Sequence, residues 1–172
     1  MRDTHRMRGI VTLYLLPLLF VLVAPASAQD RVWTSELSAL DRQYMSHQRA
    51  TIDDLARRHV GHGFTGDRDR DIDLIQRLLD RSLVRPDQTA ELQALGMMLG
   101  DLLAQQLDMH WVVYEDKLGR SRALRYRDTD NYLFPMTMVS RRHEAGNQTP
   151  VKDIYQNAVD AITPYRIPLP FQ

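Results

Sequence analysis

Apolar positions recur every three to four residues along most of this chain, and the spacing changes only in a short middle stretch. The first run predicts a helix over Ser35 to Val60, with Leu37, Leu40, Tyr44, Ile52 and Leu55 on its buried side. Gly61, Gly63 and Gly66 follow at once and favour a loop. A second helix is expected from Asp71 to Leu83, striped by Leu74, Ile75, Leu78 and Leu79 and ended by Pro86. A third starts from a cap near Asp87 and runs to Leu107. Its core face holds Leu92, Leu95, Met98, Leu99, Leu102 and Leu103.

The period then changes. Met109 to Tyr114 is rich in aromatic and β-branched residues and predicts a strand. Asp116-Lys117-Leu118-Gly119 has hairpin chemistry, and Ser121 to Tyr126 predicts the returning strand. After a turn at Asp128 to Asn131, Tyr132 to Phe134 makes a short third strand. Pro135 to Glu144 predicts a short helix, with proline at its first position and Gly146 just past its end. Thr149-Pro150 opens a last helix whose apolar face is Ile154, Tyr155, Ala158 and Ile162. From Thr163 onward, Pro164, Pro168 and Pro170 predict an extended tail. The expectation is an α+β fold: N-terminal helices on a small antiparallel sheet of about three strands, then one short and one longer helix.

The N-terminus has a different character. Arg2, Arg6 and Arg8 precede an almost wholly apolar run from Ile10 to Val23, and Ala26-Ser27-Ala28 follows. That order is the layout of a secretory signal peptide cleaved near Ala28. The apolar run is short of the roughly 20 residues that span a bilayer. A periplasmic or secreted protein without a stable membrane anchor is therefore expected. The parts are a signal peptide (1–28), a helix and loop (29–70), an α+β domain (71–162) and a proline-rich tail (163–172). Past residue 28 the chain carries 19 basic and 21 acidic residues, a net of −2. So mild a balance argues against bulk nucleic-acid binding. The chain has no cysteine, which removes disulfides, thiol catalysis and thiolate metal sites.

Each charged cluster has a functional reading and a plainer one. Asp67, Asp69, Asp71 and Asp73 alternate like a calcium loop. Ile72 and Leu78, however, stand where such a loop needs glycine and glutamate. The plainer reading is a solvated loop whose aspartates cap a helix. His59 and His62 have metal-like spacing, but Gly61 lies between them and no acidic ligand adjoins. Gly96, Gly100 and Ala104 put small residues four apart on one helical face, which suits close approach of that helix to the sheet. Arg120 and Arg122 share one strand face, Arg125 and Arg127 the other. They read as an anion-binding face beside Trp111 and Tyr114, or as the charged protection of an edge strand. No nucleophile motif, phosphate loop or cofactor motif is present.

The stretch Asn131 to Gly146 is the densest. Phe134 and Met138 suit a contact at a helix start, and Arg141 and Arg142 fall in the last turn, where cations complement free carbonyls. One cation satisfies a helix end, so the second is available to a ligand or partner. The series Leu95-Gly96, Leu99-Gly100-Asp101, Trp111-Val112, Asp116, Gly119-Arg120, Leu133-Phe134-Pro135, Met138-Val139, Arg141-Arg142 and Ile154-Tyr155 resembles the bacterial domain-of-unknown-function family 3806. The resemblance carries no activity. It implies that Trp111, Phe134, Pro135 and Arg142 belong to one unit.

The binding residues expected are Trp111, Asp116, Phe134, Arg141 and Arg142, with no metal and no cofactor. The function expected is a non-enzymatic module for a protein or envelope partner. The alternatives are a hydrolase built from dispersed residues such as His110, Asp116 and Arg142, or an inhibitor or immunity-type protein.

Overall fold

The computed structural model describes residues 32–166. The signal-like stretch 1–28, its cleavage point near Ala28 and the chain from Ile167 onward lie outside the described residues. The elements in order are β1 (Trp33–Glu36), α1 (Ala39–Val60), α2 (Arg68–Asp80), α3 (Thr89–Leu107), β2 (Met109–Asp116), β3 (Gly119–Tyr126), β4 (Tyr132–Leu133), α4 (Pro135–Glu144) and α5 (Val151–Ile162). Thr163–Tyr165 then forms one 3-10 turn, where an extended tail was expected. The architecture is α+β, and no described helix is long and apolar enough to cross a membrane.

The sheet has four antiparallel strands in the order β1-β2-β3-β4, one more than the sequence predicts. The extra strand occupies the start of the expected first helix. It pairs Trp33 with Glu115 and Ser35 with Val113. The helix begins later because Ser38 and Asp41 form a capping box there. The Asp41 amide donates to Ser38 Oγ and the Ser38 amide to the Asp41 carboxylate, each at 3.1 Å. Gly61, at φ +86°, ends α1 in the left-handed conformation that glycine adopts most readily.

β1 and α1 are built into the same fold as the later elements. Ile52 and Ala56 of α1 are fully buried in the core beside Leu78 of α2 and Leu95, Leu99 and Leu103 of α3. Each such leucine contributes roughly 1.5–3 kcal/mol by leaving water. The buried side of α1 is Asp41, Met45, Ile52 and Ala56. Leu40 is 77% exposed, contrary to the expected stripe. On α3, Met97 is fully buried while Met98 is only partly so.

Gly96 and Gly100 do permit a close approach, chiefly to α4 rather than to the sheet. A Cβ on Gly96 would meet the backbone of Pro135 and Met136, and one on Gly100 would meet the Trp111 and Pro135 side chains. α4 is thereby held flush against α3, beside the sheet.

The aspartate-rich stretch has a structural use. Asp67 caps α2, accepting from the Arg70 amide at 3.0 Å, so that helix starts at Arg68 rather than Asp71. Asp71 is buried and turns back to the glycine loop. It accepts from the Thr65 amide and hydroxyl and, at 2.7 Å, from the Gly66 amide. Asp53 accepts from the Phe64 amide at 2.7 Å. Two carboxylates thus fold residues 61–66 onto the helices. Replacing Asp71 by alanine is expected to cost about 1.5 kcal/mol, the lower end for hydrogen bonds to a charged acceptor, because Thr65 and Gly66 are exposed and water takes over their donors. Urea denaturation checks this, and unchanged stability would contradict the clamp.

Candidate functional site

α4 begins without a side-chain cap. Phe134 sits at its N-cap and Pro135 takes the first position, where no amide is missed. Phe134 and Met138 line one hollow. The two arginines at the far end are used differently. Arg142 Nη1 donates to the Met138 carbonyl at 2.7 Å, so this arginine satisfies its own helix. Arg141 is exposed and has no hydrogen bond or ion pair among the described residues.

Arg141 lies between two concavities. One, of about 340 Å³, is lined by Tyr114, Asp116, Arg120, Phe134, Thr137 and Arg141, between the β2–β3 hairpin and α4. The other, of about 520 Å³ and more open, adds Tyr132, Met138 and Arg142. Three aromatic rings join them. Tyr114 packs edge-on against Phe134 at 5.1 Å between centroids and against Tyr132 at 5.0 Å. This is the arrangement aromatic rings prefer, and it holds the lining rigid. Burial, and after it the Asp116 carboxylate, pushes the Tyr114 hydroxyl above its usual pKa, so it stays a neutral donor. Asp116 also accepts from the Leu118 amide at 2.8 Å, fixing the hairpin turn beside the hollow.

Of the five residues the sequence singles out, Asp116, Phe134 and Arg141 line the smaller hollow. Arg142 lines the neighbouring one. Trp111 belongs to a different cluster. Its Nε1 donates to Asp101 at 2.9 Å, and the same carboxylate takes two bonds from Arg49, whose guanidinium lies 6.0 Å from the indole centroid. Trp111 therefore ties β2 to α1 and α3. It stands three positions from Tyr114, an odd offset that puts the two on opposite faces of the strand.

Sequence reasoning named Tyr114 beside the arginine face without placing it with Asp116, Phe134 and Arg141, and it missed the role of Arg120. The available signal was that Tyr114 and Asp116, two apart on a strand, must share a face. Arg120 and Arg122 do share a face, and Asp41 occupies both. Arg120 reaches the Asp41 carboxylate at 2.7 Å and Arg122 at 2.9 Å, while Arg122 also lies 4.3 Å over the Tyr44 ring. That pairing consumes the expected anion-binding face, although Arg120 is still 45% exposed beside the hollow. The hairpin half of β3 is an edge as expected, because β4 pairs only with Leu124 and Arg125.

His110 and Asp116 stand at opposite ends of β2, about 20 Å apart by the rise of a strand. They do not converge as a hydrolytic pair would. Among the described residues no group of three or more histidines and carboxylates could hold a metal ion.

Residues 71–155 match the family described as Domain of unknown function (DUF3806), and over this stretch the chain belongs to that family. A crystal structure from Bacteroides thetaiotaomicron VPI-5482, at 1.50 Å resolution, is similar in fold. The TM-score is 0.68 at 18% identity, over 80% of this chain and 51% of that one. This chain thus spans about half the length of that structure, and the likeness is one of fold alone. No curated protein matches the chain.

Proposed function

We propose that this DUF3806 member is an exported, non-enzymatic binding module that receives an anionic group of a protein or envelope partner at Arg141. The observation that carries the reading is one unpaired guanidinium on a lining of three interlocked aromatic rings. Arginine and tyrosine are enriched at recognition hot spots. The planar fork of Arg141 suits a carboxylate or phosphate, and Tyr114 and Phe134 offer apolar contact next to it. Export is supported by the basic, apolar and small-residue order of residues 1–28. The separation of His110 from Asp116 weighs against a hydrolytic reading.

The test is crosslinking and affinity capture from an envelope fraction with the wild-type protein and an Arg141→Ala variant. Circular dichroism verifies that both are folded. The variant is expected to lose at least about tenfold in affinity, the loss of one hot-spot contact. Equal capture by both proteins would remove Arg141 from the site.

A further inference from the structure

A second concavity opens on another side of α4. It holds about 470 Å³ and is walled by the ends of α2 and α4 and the start of α5. The α2 wall supplies Asp80 and Ser82, and the α4 wall supplies Arg142 and His143. Leu79, Val139 and Ile154 give the hollow apolar surface. Charges of opposite sign therefore line one hollow without neutralising each other. Asp80 accepts from the Gln76 amide at 2.7 Å, and neither Arg142 nor His143 meets a carboxylate among the described residues. Arg142 spends one nitrogen on the Met138 carbonyl, which leaves the rest of its fork for a ligand.

Ser82 closes α2 at the edge of the hollow. It takes φ +52°, in the left-handed region, and its amide donates to the Leu79 carbonyl at the end of α2. Glycine is the usual residue in that conformation. Here serine takes it to close the helix, with the Leu83 amide donating to the Leu78 carbonyl as well, and Ser82 thereby lines the hollow.

We propose that this hollow binds a small zwitterion with an apolar body, an apolar α-amino acid or dipeptide, with its carboxylate on Arg142 and His143 and its ammonium on Asp80 and Ser82. A volume of this size is ordinary for a small-molecule site with a few polar groups on apolar walls. Separated charges favour a ligand that carries both signs. A simple anion would leave Asp80 facing it, and a simple cation would face Arg142.

The experiment is calorimetric titration of protein expressed from the full-length chain with L-leucine and L-leucyl-L-leucine. The controls are 4-methylpentanoate, which lacks the ammonium, and leucinamide, which lacks the carboxylate. At least one zwitterion is expected to bind, with each control weaker by about tenfold or more. Asp80→Asn, whose side chain is exposed and keeps the acceptor for Gln76, is expected to weaken zwitterion binding by a similar factor without weakening 4-methylpentanoate, which no longer faces a carboxylate. Circular dichroism confirms that the variant is folded. Absence of binding by both zwitterions up to about 10 mM, equal binding of leucine and 4-methylpentanoate, or unchanged zwitterion binding by Asp80→Asn would each overturn the proposal.

Discussion

Replacing Asp41 by alanine is expected to lower stability by about 4 kcal/mol, on the order of 10 °C in Tm for a domain of this size. Two losses combine. The Ser38 amide and hydroxyl lose the carboxylate that accepts from them, worth about 1 kcal/mol. Arg120 and Arg122 then lose the carboxylate between them, and removing one member of a buried charge cluster costs about 3–5 kcal/mol. The lower part of that range applies because the Arg120 side chain is 45% exposed, so water takes over part of its solvation.

The effect also has a pH signature. The Arg120 guanidinium, hydrogen-bonded to Asp41, holds its carboxyl well below the usual carboxylate range, against burial, which pushes it up. The Ser38 bonds lower it further. Because the folded value is depressed, this stabilisation is fully present above the ordinary carboxylate pKa of about 3.9. It is lost as pH falls through that value toward the folded one. Urea denaturation of wild type and Asp41→Asn should show a gap that is constant near neutrality and narrows below about pH 4. A gap that widened on acidification would mean the carboxylate is not the stabilised form.

Gly96→Ala is also expected to be destabilising, by about 2 kcal/mol. An added Cβ would stand 2.7 Å from Met136 Cα and 3.0 Å from its carbonyl carbon, and close to the Pro135 oxygen as well. These are backbone atoms and cannot rotate away. Overpacking of this kind costs roughly 1–3 kcal/mol, occasionally more. Alanine recovers about 1 kcal/mol of helix propensity, which sets the estimate below the worst case. The strain falls on the first turn of α4, the helix that carries Arg141. The variant should therefore lose partner capture as well as stability. Thermal denaturation of Gly96→Ala equal to or above wild type would mean that α3 and α4 are not packed as closely as described.

Most of the helices were legible because their apolar faces repeat at helical spacing and their ends carry proline, glycine or a capping aspartate. β1 was not. It is four residues long, largely exposed on both faces and shows no alternation, so Leu37 and Leu40 blend it into the helix that follows. The Ser38 and Asp41 pair was the available sign of a later helix start. The division of labour at α4 was half legible. Two adjacent arginines in a last turn exceed what one helix end uses, but the residue that remains free depends on which side chain folds back, here Arg142 onto Met138. The fate of Arg120 was hidden altogether. Its partner Asp41 lies 79 residues away in sequence, and only the pairing of β1 with β2 brings α1 across the sheet. Trp111 was singled out by chemistry, yet its indole nitrogen is engaged by Asp101 ten residues back.

The most direct test of the central claim compares Arg141→Ala and Arg142→Ala as single variants, measuring Tm and partner capture on each. Arg142→Ala should lose about 1 kcal/mol of stability, the worth of one hydrogen bond to its helix. It should retain capture at Arg141. Arg141→Ala should leave stability within about 0.5 kcal/mol of wild type, as exposed substitutions do, and should lose capture. The reverse pattern, with Arg141 needed for stability and dispensable for capture, would contradict the account.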